Sequence, residues 1–175
     1  MNQVSELVMT HETIVRKLDR MAREILEVHF QESTLVLLGV DGQGVALCQA
    51  LVRRLKALGD MDIVDGVVSL DKANPLQSGV TCDVPKESLN DTIVILVDDV
   101  LNSGQTLIHA VREVLLGNPR EVHTAVLVDR KHRAFPVRAD YCGLTLSTHL
   151  NEHIAVDLSD EDNATVHLQR APSGI

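Results

Sequence analysis

Long apolar runs alternate with amphipathic stretches along this chain, and the alternation predicts an α/β fold. Strands are predicted over the apolar runs at 34–40, 63–70, 92–97 and 122–128. Such runs are typical of parallel strands that are buried on both faces of a sheet. Because helical patterns separate them, the order predicts a doubly wound, mostly parallel sheet with helices on both faces.

The helices follow from apolar positions that recur at helical spacing. The N-terminal helix is predicted over 10–29, where such positions are four, three and four residues apart: Ile14, Leu18, Met21 and Ile25. Two further helices are predicted at 45–58 and 105–116, and each is followed by a glycine that stops it.

The remaining segments are less regular. Residues 71–91 contain the glycines, prolines and aspartates of a mobile loop or a weak hairpin. Short C-terminal strands are predicted at 137–142, 153–157 and 164–168. A chain of 175 residues without repeats or a low-complexity linker predicts one domain, spanning residues 1–175.

The most informative stretch joins the strand at 92–97 to the helix at 105–116. Asp98 and Asp99 follow the strand, and their carboxylates can accept hydrogen bonds from neighbouring hydroxyls of a sugar. The loop Ser103-Gly104-Gln105-Thr106 offers amides and hydroxyls at a helix N-terminus, which is a ready anion site. A sugar phosphate would satisfy both halves, whereas the alternative is an ordinary helix-capping turn.

Composition restricts the function classes. Hydrophobic residues make up 45% of the chain and aromatic residues only 2%, so the core consists of aliphatic side chains. The net charge of −9 argues against a non-specific nucleic-acid binder, so any RNA contact needs a local basic patch. With three scattered cysteines, no signal-like N-terminus and no apolar stretch near the ~20 residues of a membrane span, we expect a cytoplasmic protein without membrane contact.

The stretch 93–106 resembles the signature of the type I phosphoribosyltransferases, which bind 5-phosphoribosyl 1-pyrophosphate (PRPP). The resemblance implies the type I phosphoribosyltransferase fold and the use of Mg²⁺. It implies that Asp98 and Asp99 hold the ribose hydroxyls, serve catalysis and contact the metal. It also implies that Asn102, Ser103, Gly104, Gln105 and Thr106 hold the 5-phosphate.

Residues 126–149 are similar to one subfamily, the bacterial pyrimidine-operon attenuation regulators with uracil phosphoribosyltransferase activity. The resemblance implies a reaction of PRPP with uracil to give UMP and pyrophosphate, and a homodimer or larger oligomer. It places Val128, Asp129, Arg130 and Arg133 near the base. For Arg133, and equally for Arg138, a surface or subunit-interface position is an open alternative.

The chain departs from the family where pyrophosphate would bind. The expected turn is Asp41-Gly42-Gln43-Gly44, with Asp41 where a lysine is usual and Gln43 where an arginine is usual. Lys72 is the nearest match to the catalytic basic residue of the family's mobile loop, and Gln105 also replaces a common arginine. Because these departures remove positive charge, the alternative to an enzyme is a regulatory protein that senses a nucleotide or PRPP with little turnover.

Two further patterns allow competing interpretations. The Gly42-x-Gly44 turn is reminiscent of a dinucleotide fingerprint, but Leu47 stands where the third glycine is needed. Arg16, Arg20 and Arg23 share one stripe of the N-terminal helix and could face RNA. The alternative, which we favour, is a solvated helix face with local ion pairs: Glu12 with Arg16 and Asp19 with Arg23.

Overall fold

The computed structural model describes residues 4–71, 79–149, 151–160 and 162–170. The helices are α1 (His11–Val28), α2 (Gln43–Leu58) and α3 (Gln105–Leu115), and a 3₁₀ turn lies at Lys86–Leu89. The strands are β1 (Val4–Met9), β2 (Thr34–Val40), β3 (Asp62–Leu70), β4 (Val80–Cys82), β5 (Ile93–Leu101), β6 (Glu121–Asp129), β7 (Tyr141–Thr145), β8 (Glu152–Asp157) and β9 (Thr165–Arg170). No helix in the described ranges is both long and apolar enough to span a membrane.

The larger sheet has the order β4-β3-β2-β5-β6-β7. Every neighbouring pair from β3 to β7 is parallel, and only the short edge strand β4 runs antiparallel. One apolar cluster packs α1 and α2 on one face, and a second packs α3 on the other. Side chains that alternate along β5 serve the two clusters in turn, as a strand buried on both faces requires. The predicted doubly wound α/β sheet is confirmed.

The smaller sheet has the order β1-β9-β8 and is antiparallel throughout. Its C-terminal strands lie close to the predicted positions. The N-terminal strand β1 was not predicted, because its partner β9 lies at the far end of the chain and six residues carry little pattern of their own. The sheet therefore joins both ends of the described chain.

Two predicted elements lie elsewhere. The strand predicted at 137–142 is displaced to Tyr141–Thr145, because the residues before it bond to Thr124 and not to a strand ladder. The segment 71–91 contains β4, which pairs antiparallel with β3, so its hairpin character is confirmed there. Residues 72–78 lie outside the described residues.

Candidate functional site

Asp98 and Asp99 lie inside β5, at the point where β5 extends beyond its neighbour β2. The β2–β5 ladder ends at the pair Gly39–Val97, while pairing with β6 continues to Leu101. The predicted strand end at residue 97 was therefore wrong, because β6 carries β5 further. The gap beside β2 still leaves both acids at the carboxyl edge of the sheet, where ligands of parallel sheets bind.

Asp98 is only 3% exposed and lies between two loops. Its Oδ1 accepts a hydrogen bond of 3.1 Å from the amide of Asp99, which is half-buried. A Cβ built on Gly44 would lie 3.2 Å from the same Oδ1 and 2.9 Å from the carbonyl oxygen of Val97. The first turn of α2 therefore packs directly on β5 beside Asp98, and only a glycine fits there.

The 102–106 loop closes one side of the site. Gly104 has φ of +85°, a left-handed conformation that suits glycine, and α3 begins at the next residue. The Ser103 hydroxyl accepts a hydrogen bond of 3.3 Å from the amide of Gln105. Asp98 and residues 100–107 line a small cavity of about 30 Å³. A loop that delivers backbone amides to a helix N-terminus favours an anion.

The 41–44 turn closes the other side, and its side chains point into the protein. Gly42 has φ of +91°, which lets the chain turn sharply into α2. The Asp41 carboxylate accepts hydrogen bonds from the Ser69 hydroxyl at 3.0 Å and from the Leu70 amide at 3.2 Å. Gln43 Oε1 accepts one of 2.8 Å from the amide of Leu158. The turn thus presents no basic side chain to the site.

The predicted base-side residues lie at the end of β6 and just after it. Val128 is fully buried in the core, so it can offer a ligand only its backbone. Asp129 Oδ1 accepts from Arg133 Nη2 at 2.6 Å and from the amide of Lys131 at 2.8 Å. Arg133 also donates to the carbonyl oxygen of Asn102 at 3.1 Å. The base-side segment and the 102–106 loop therefore contact each other directly.

Arg130 is 8% exposed, and its guanidinium makes four contacts inside the protein. It donates to Asn102 Oδ1 at 2.8 Å, Thr148 Oγ1 at 2.8 Å, the His149 carbonyl at 3.2 Å and the Glu152 carbonyl at 2.6 Å. Burial lowers the pKa of Arg130. The structure places Arg130 beside the 102–106 loop, where it contacts side chain and backbone groups of the protein.

The segment before β8 contributes residues that the sequence did not reveal. Thr148 and His149 accept hydrogen bonds from Arg130. Glu152 is 8% exposed, and its carboxylate accepts hydrogen bonds from the His149 amide at 2.7 Å and from Arg170 at 2.8 Å. The His149 amide and Arg170 lower the pKa of Glu152. No motif marks these residues, because their partners are distant in the chain.

Two arginines of the α1 stripe, Arg16 and Arg20, make contacts within the protein. Arg16 pairs with Glu12 at 3.5 Å, as predicted. Asp19, however, pairs with Arg54 of α2 at 2.7 Å, so its predicted pairing with Arg23 was wrong. Arg20 donates to the carbonyl oxygens of Cys142 and Gly143 at 2.6 and 3.1 Å, which fastens α1 to β7.

The predicted catalytic lysine and the predicted magnesium ligands stay predictions. Lys72, the predicted catalytic lysine, lies outside the described residues. The described ranges contain no cluster of three or more histidine, cysteine or acidic side chains that could hold a metal. A magnesium ion at Asp98 or Asp99 would therefore take its remaining ligands from water or a bound phosphate, which is usual for this ion.

Comparison with known proteins gives matches over most of the chain. The phosphoribosyl transferase domain family matches residues 5–163. The bifunctional protein PyrR of Enterococcus faecalis is 38% identical over 159 residues, which cover 87% of this chain and 89% of that protein. The bifunctional protein PyrR of Streptomyces coelicolor is 37% identical over 169 residues, which cover 91% and 87%.

Solved structures share the fold at lower identity. A hypoxanthine-guanine phosphoribosyltransferase of Bacillus anthracis has a TM-score of 0.73 at 20% identity, covering 94% of this chain and 99% of its own. The hypoxanthine phosphoribosyltransferase of Trypanosoma cruzi has a TM-score of 0.73 at 19% identity, covering 92% and 95%. At this identity the likeness concerns the fold alone.

Proposed function

The chain belongs to the phosphoribosyl transferase family, and we propose that it transfers the phosphoribosyl group of PRPP to uracil, giving UMP and pyrophosphate. One observation carries the proposal. Asp98 is buried, lines the cavity of the 102–106 loop and lies beside Gly44 of the 41–44 turn, so one carboxylate lies between two segments suited to phosphates. The resemblance of 126–149 to pyrimidine-operon regulators supports uracil as the base.

Each part of PRPP has a counterpart. Asp98 and Asp99 accept hydrogen bonds from the ribose hydroxyls, and the amides and hydroxyls of the 102–106 loop hold the 5-phosphate. The amides of Gly42 and Gly44 hold the pyrophosphate, and Lys72 is the proposed cation that covers it. Negative charge grows on the leaving pyrophosphate as the bond to ribose breaks, so donors placed there favour the transition state.

Magnesium fits the donor set at the carboxyl edge of β5. Asp98 and Asp99 are hard oxygen ligands, and Mg²⁺ typically binds one or two carboxylates together with phosphate oxygens and water. When bound, the ion would neutralise charge on the pyrophosphate. That role matters here because the 41–44 turn has an acid and an amide where the family usually has basic side chains.

On the base side, Asp129 and Arg133 are the proposed contacts, together with the backbone of Val128. Asp129 and Arg133 pair at 2.6 Å, so a base that approaches meets an ordered pair of polar groups. Arg130 belongs to the same segment, but its contacts lie behind the loop. Its proposed role is therefore indirect.

The proposed assembly is a homodimer or a larger oligomer. Large apolar side chains are exposed on the described surface, among them Phe30 at 72% and Val28 at 59%. These two lie at the C-terminal end of α1, and Phe30 borders a surface cavity that Leu58 and Met61 also line. Sedimentation equilibrium of wild type and Phe30→Glu tests this assignment: a monomeric wild type would contradict it.

The experiment that tests the reaction incubates the protein with PRPP, Mg²⁺ and each nucleobase, and measures pyrophosphate release. We expect release with uracil and less with the other bases. A second function, nucleotide sensing with little turnover, is favoured by one observation: Gln43 is bonded to Leu158 and not directed at the site. No release with any base, together with measurable UMP binding, would support sensing and overturn transfer.

A further inference from the structure

We infer that Arg130 and Gln43 are positioning residues, and that they fasten the two sides of the site to opposite ends of strand β8. The inference rests on the proposed function for what the two sides bind. It does not depend on that function for the contacts themselves. It gives the small sheet a role in the reaction: β8 fixes the distance between the 5-phosphate loop and the pyrophosphate turn.

At the N-terminal end of β8, Arg130 joins the strand to the 102–106 loop. One nitrogen donates to Asn102 Oδ1 at 2.8 Å. The others donate to Thr148, His149 and Glu152, which lie just before β8 or at its first residue. Because a buried guanidinium with four acceptors has little freedom, the side chain of Asn102 is held in one orientation.

At the C-terminal end of β8, Gln43 makes the corresponding link. Leu158 follows the last residue of β8, and its amide donates to Gln43 Oε1 at 2.8 Å. Gln43 is the first residue of α2 and belongs to the 41–44 turn. At a position where the family usually has an arginine for pyrophosphate, Gln43 instead holds the turn in place.

The strand between these links is itself fixed. β8 pairs with β9 along its whole length, from Glu152–Arg170 to Asp157–Thr165. Ile154 is 3% exposed and belongs to the same apolar cluster as α1 and α2. Since neither end of β8 can shift without breaking this pairing and packing, the two sides of the site keep a defined separation.

The separation between the two sides of the site should matter more for the binding of PRPP than for the binding of UMP. PRPP carries phosphates at both ends of the ribose and must meet both sides at once, whereas UMP needs the 102–106 loop and the base side. Loss of the Gln43 link should therefore weaken PRPP and spare UMP. Loss of the Arg130 link should weaken both ligands, because it disturbs the loop that they share.

The variants isolate each link. Gln43→Leu removes the acceptor at similar size, and Gln43→Glu keeps an acceptor. Asn102→Ala removes one acceptor of Arg130 on an exposed residue, and Arg130→Lys keeps the charge but loses the planar fork. Exposed residues of the same types give the controls, Gln49→Leu and Arg112→Lys. Asn102→Ala keeps the inference testable if Arg130→Lys does not fold.

Hydrogen–deuterium exchange of the unliganded protein tests the contacts without any assumption about function. We expect Asn102→Ala and Arg130→Lys to raise exchange in the 102–106 loop by about threefold to tenfold, the worth of one hydrogen bond. Gln43→Leu should raise it at 42–45 and at Leu158, and Gln43→Glu should not. Exchange equal to that of the controls would overturn the inference.

Kinetic measurements then distinguish a positioning role of Gln43 from a contribution to the stability of the fold alone. Gln43→Leu should raise the KM for PRPP by about threefold to tenfold, with kcat and UMP affinity within about twofold of wild type. Equal losses for PRPP and UMP would contradict the separate roles of the two links. If wild type releases no pyrophosphate while the exchange pattern holds, the proposed reaction fails and the structural link stands.

Discussion

The two loops that flank Asp98 are built in opposite ways. In the 102–106 loop, Arg130 and Arg133 support Asn102 from behind, and the residues of the loop line the cavity beside Asp98. In the 41–44 turn the side chains of Asp41 and Gln43 and the amide of Asp41 bond within the protein, so the amides of Gly42 and Gly44 are what the turn offers a ligand.

The contrast between the two loops separates the groups that bind an anion from those that favour the departure of pyrophosphate. An anion site needs amides and a helix N-terminus, and both sides of the site have them. Departure of pyrophosphate also benefits from a fixed positive charge. The 41–44 turn has no basic side chain, so in the proposed reaction we expect turnover to depend more on magnesium and on Lys72 than on this turn.

The largest expected effect comes from the acids that both sides share. Asp98→Asn with Asp99→Asn should weaken UMP binding by more than about 100-fold, because the two lost charged hydrogen bonds to ribose cost about 1.5–3 kcal/mol each and about 3–6 kcal/mol together. A carboxamide oxygen at position 98 can still accept the bond from the amide of residue 99, so the fold should persist. Calorimetric titration measures the change, and Asp60→Asn at an exposed position is the control. Unchanged UMP affinity would mean that the ribose site lies elsewhere.

The next effect tests the contact between Gly44 of the 41–44 turn and strand β5. Gly44→Ala places a methyl group 2.9 Å from the Val97 carbonyl and 3.2 Å from Asp98 Oδ1. Such overpacking costs about 1–3 kcal/mol, and it should lower both the free energy of unfolding and the affinity for UMP. Gly59→Ala, where a Cβ meets nothing within 4 Å, is the control, with urea denaturation as the measurement. If the two alanine variants are equally stable, α2 does not pack against Asp98 in this way.

These positions also show what the sequence could reveal. The apolar runs and the acidic pair predicted the sheet and its ligand edge, because both are local patterns. The β1–β9 pairing, the Arg130 cluster and the Gln43–Leu158 bond join residues far apart in the chain, and no local signal marks them. The resemblance placed Asp41 in the turn where pyrophosphate would bind, whereas its position beside the end of β3 turns its carboxylate toward Ser69.

A smaller effect should follow from placing at position 43 the positive charge that the family usually has there. Gln43→Arg adds a cation to the 41–44 turn but gives up the bond to Leu158, so we expect pyrophosphate affinity to rise only about fivefold, equivalent to about 1 kcal/mol. Transferase activity should rise in the same direction. Gln49→Arg, on the exposed face of the same helix, makes the same change in net charge. No difference between the two variants would show that this turn does not limit pyrophosphate binding.

The smallest effect concerns His29, which lies outside both loops and should affect the stability of the fold and not the binding of ligands. His29 is 4% exposed and bonds to the Tyr141 hydroxyl at 2.8 Å; burial lowers its pKa below 6.5, and nearby His123 lowers it further. The folded state therefore favours neutral His29, and this stability is full above pH 6.5 and declines as the pH falls toward the folded pKa.

Thermal unfolding from about pH 7.5 to about pH 5.5 measures this decline. His29→Gln should lose less Tm on acidification than wild type, because a glutamine does not titrate. Exposed His153→Gln should behave like wild type. An equal loss of Tm in all three proteins would contradict the assignment to His29, and binding measured above about pH 7 stays clear of the effect in either case.

The most direct test of the difference between the two sides is a pair of calorimetric titrations on one preparation, with UMP and with pyrophosphate, both in magnesium. In the proposed site, UMP engages the 102–106 loop and the acids, whereas pyrophosphate relies on the 41–44 turn. The structure predicts saturable UMP binding at a lower concentration than pyrophosphate, and loss of the UMP signal in the double Asp→Asn variant. Pyrophosphate binding more tightly than UMP, or UMP binding that survives in that variant, would contradict the account.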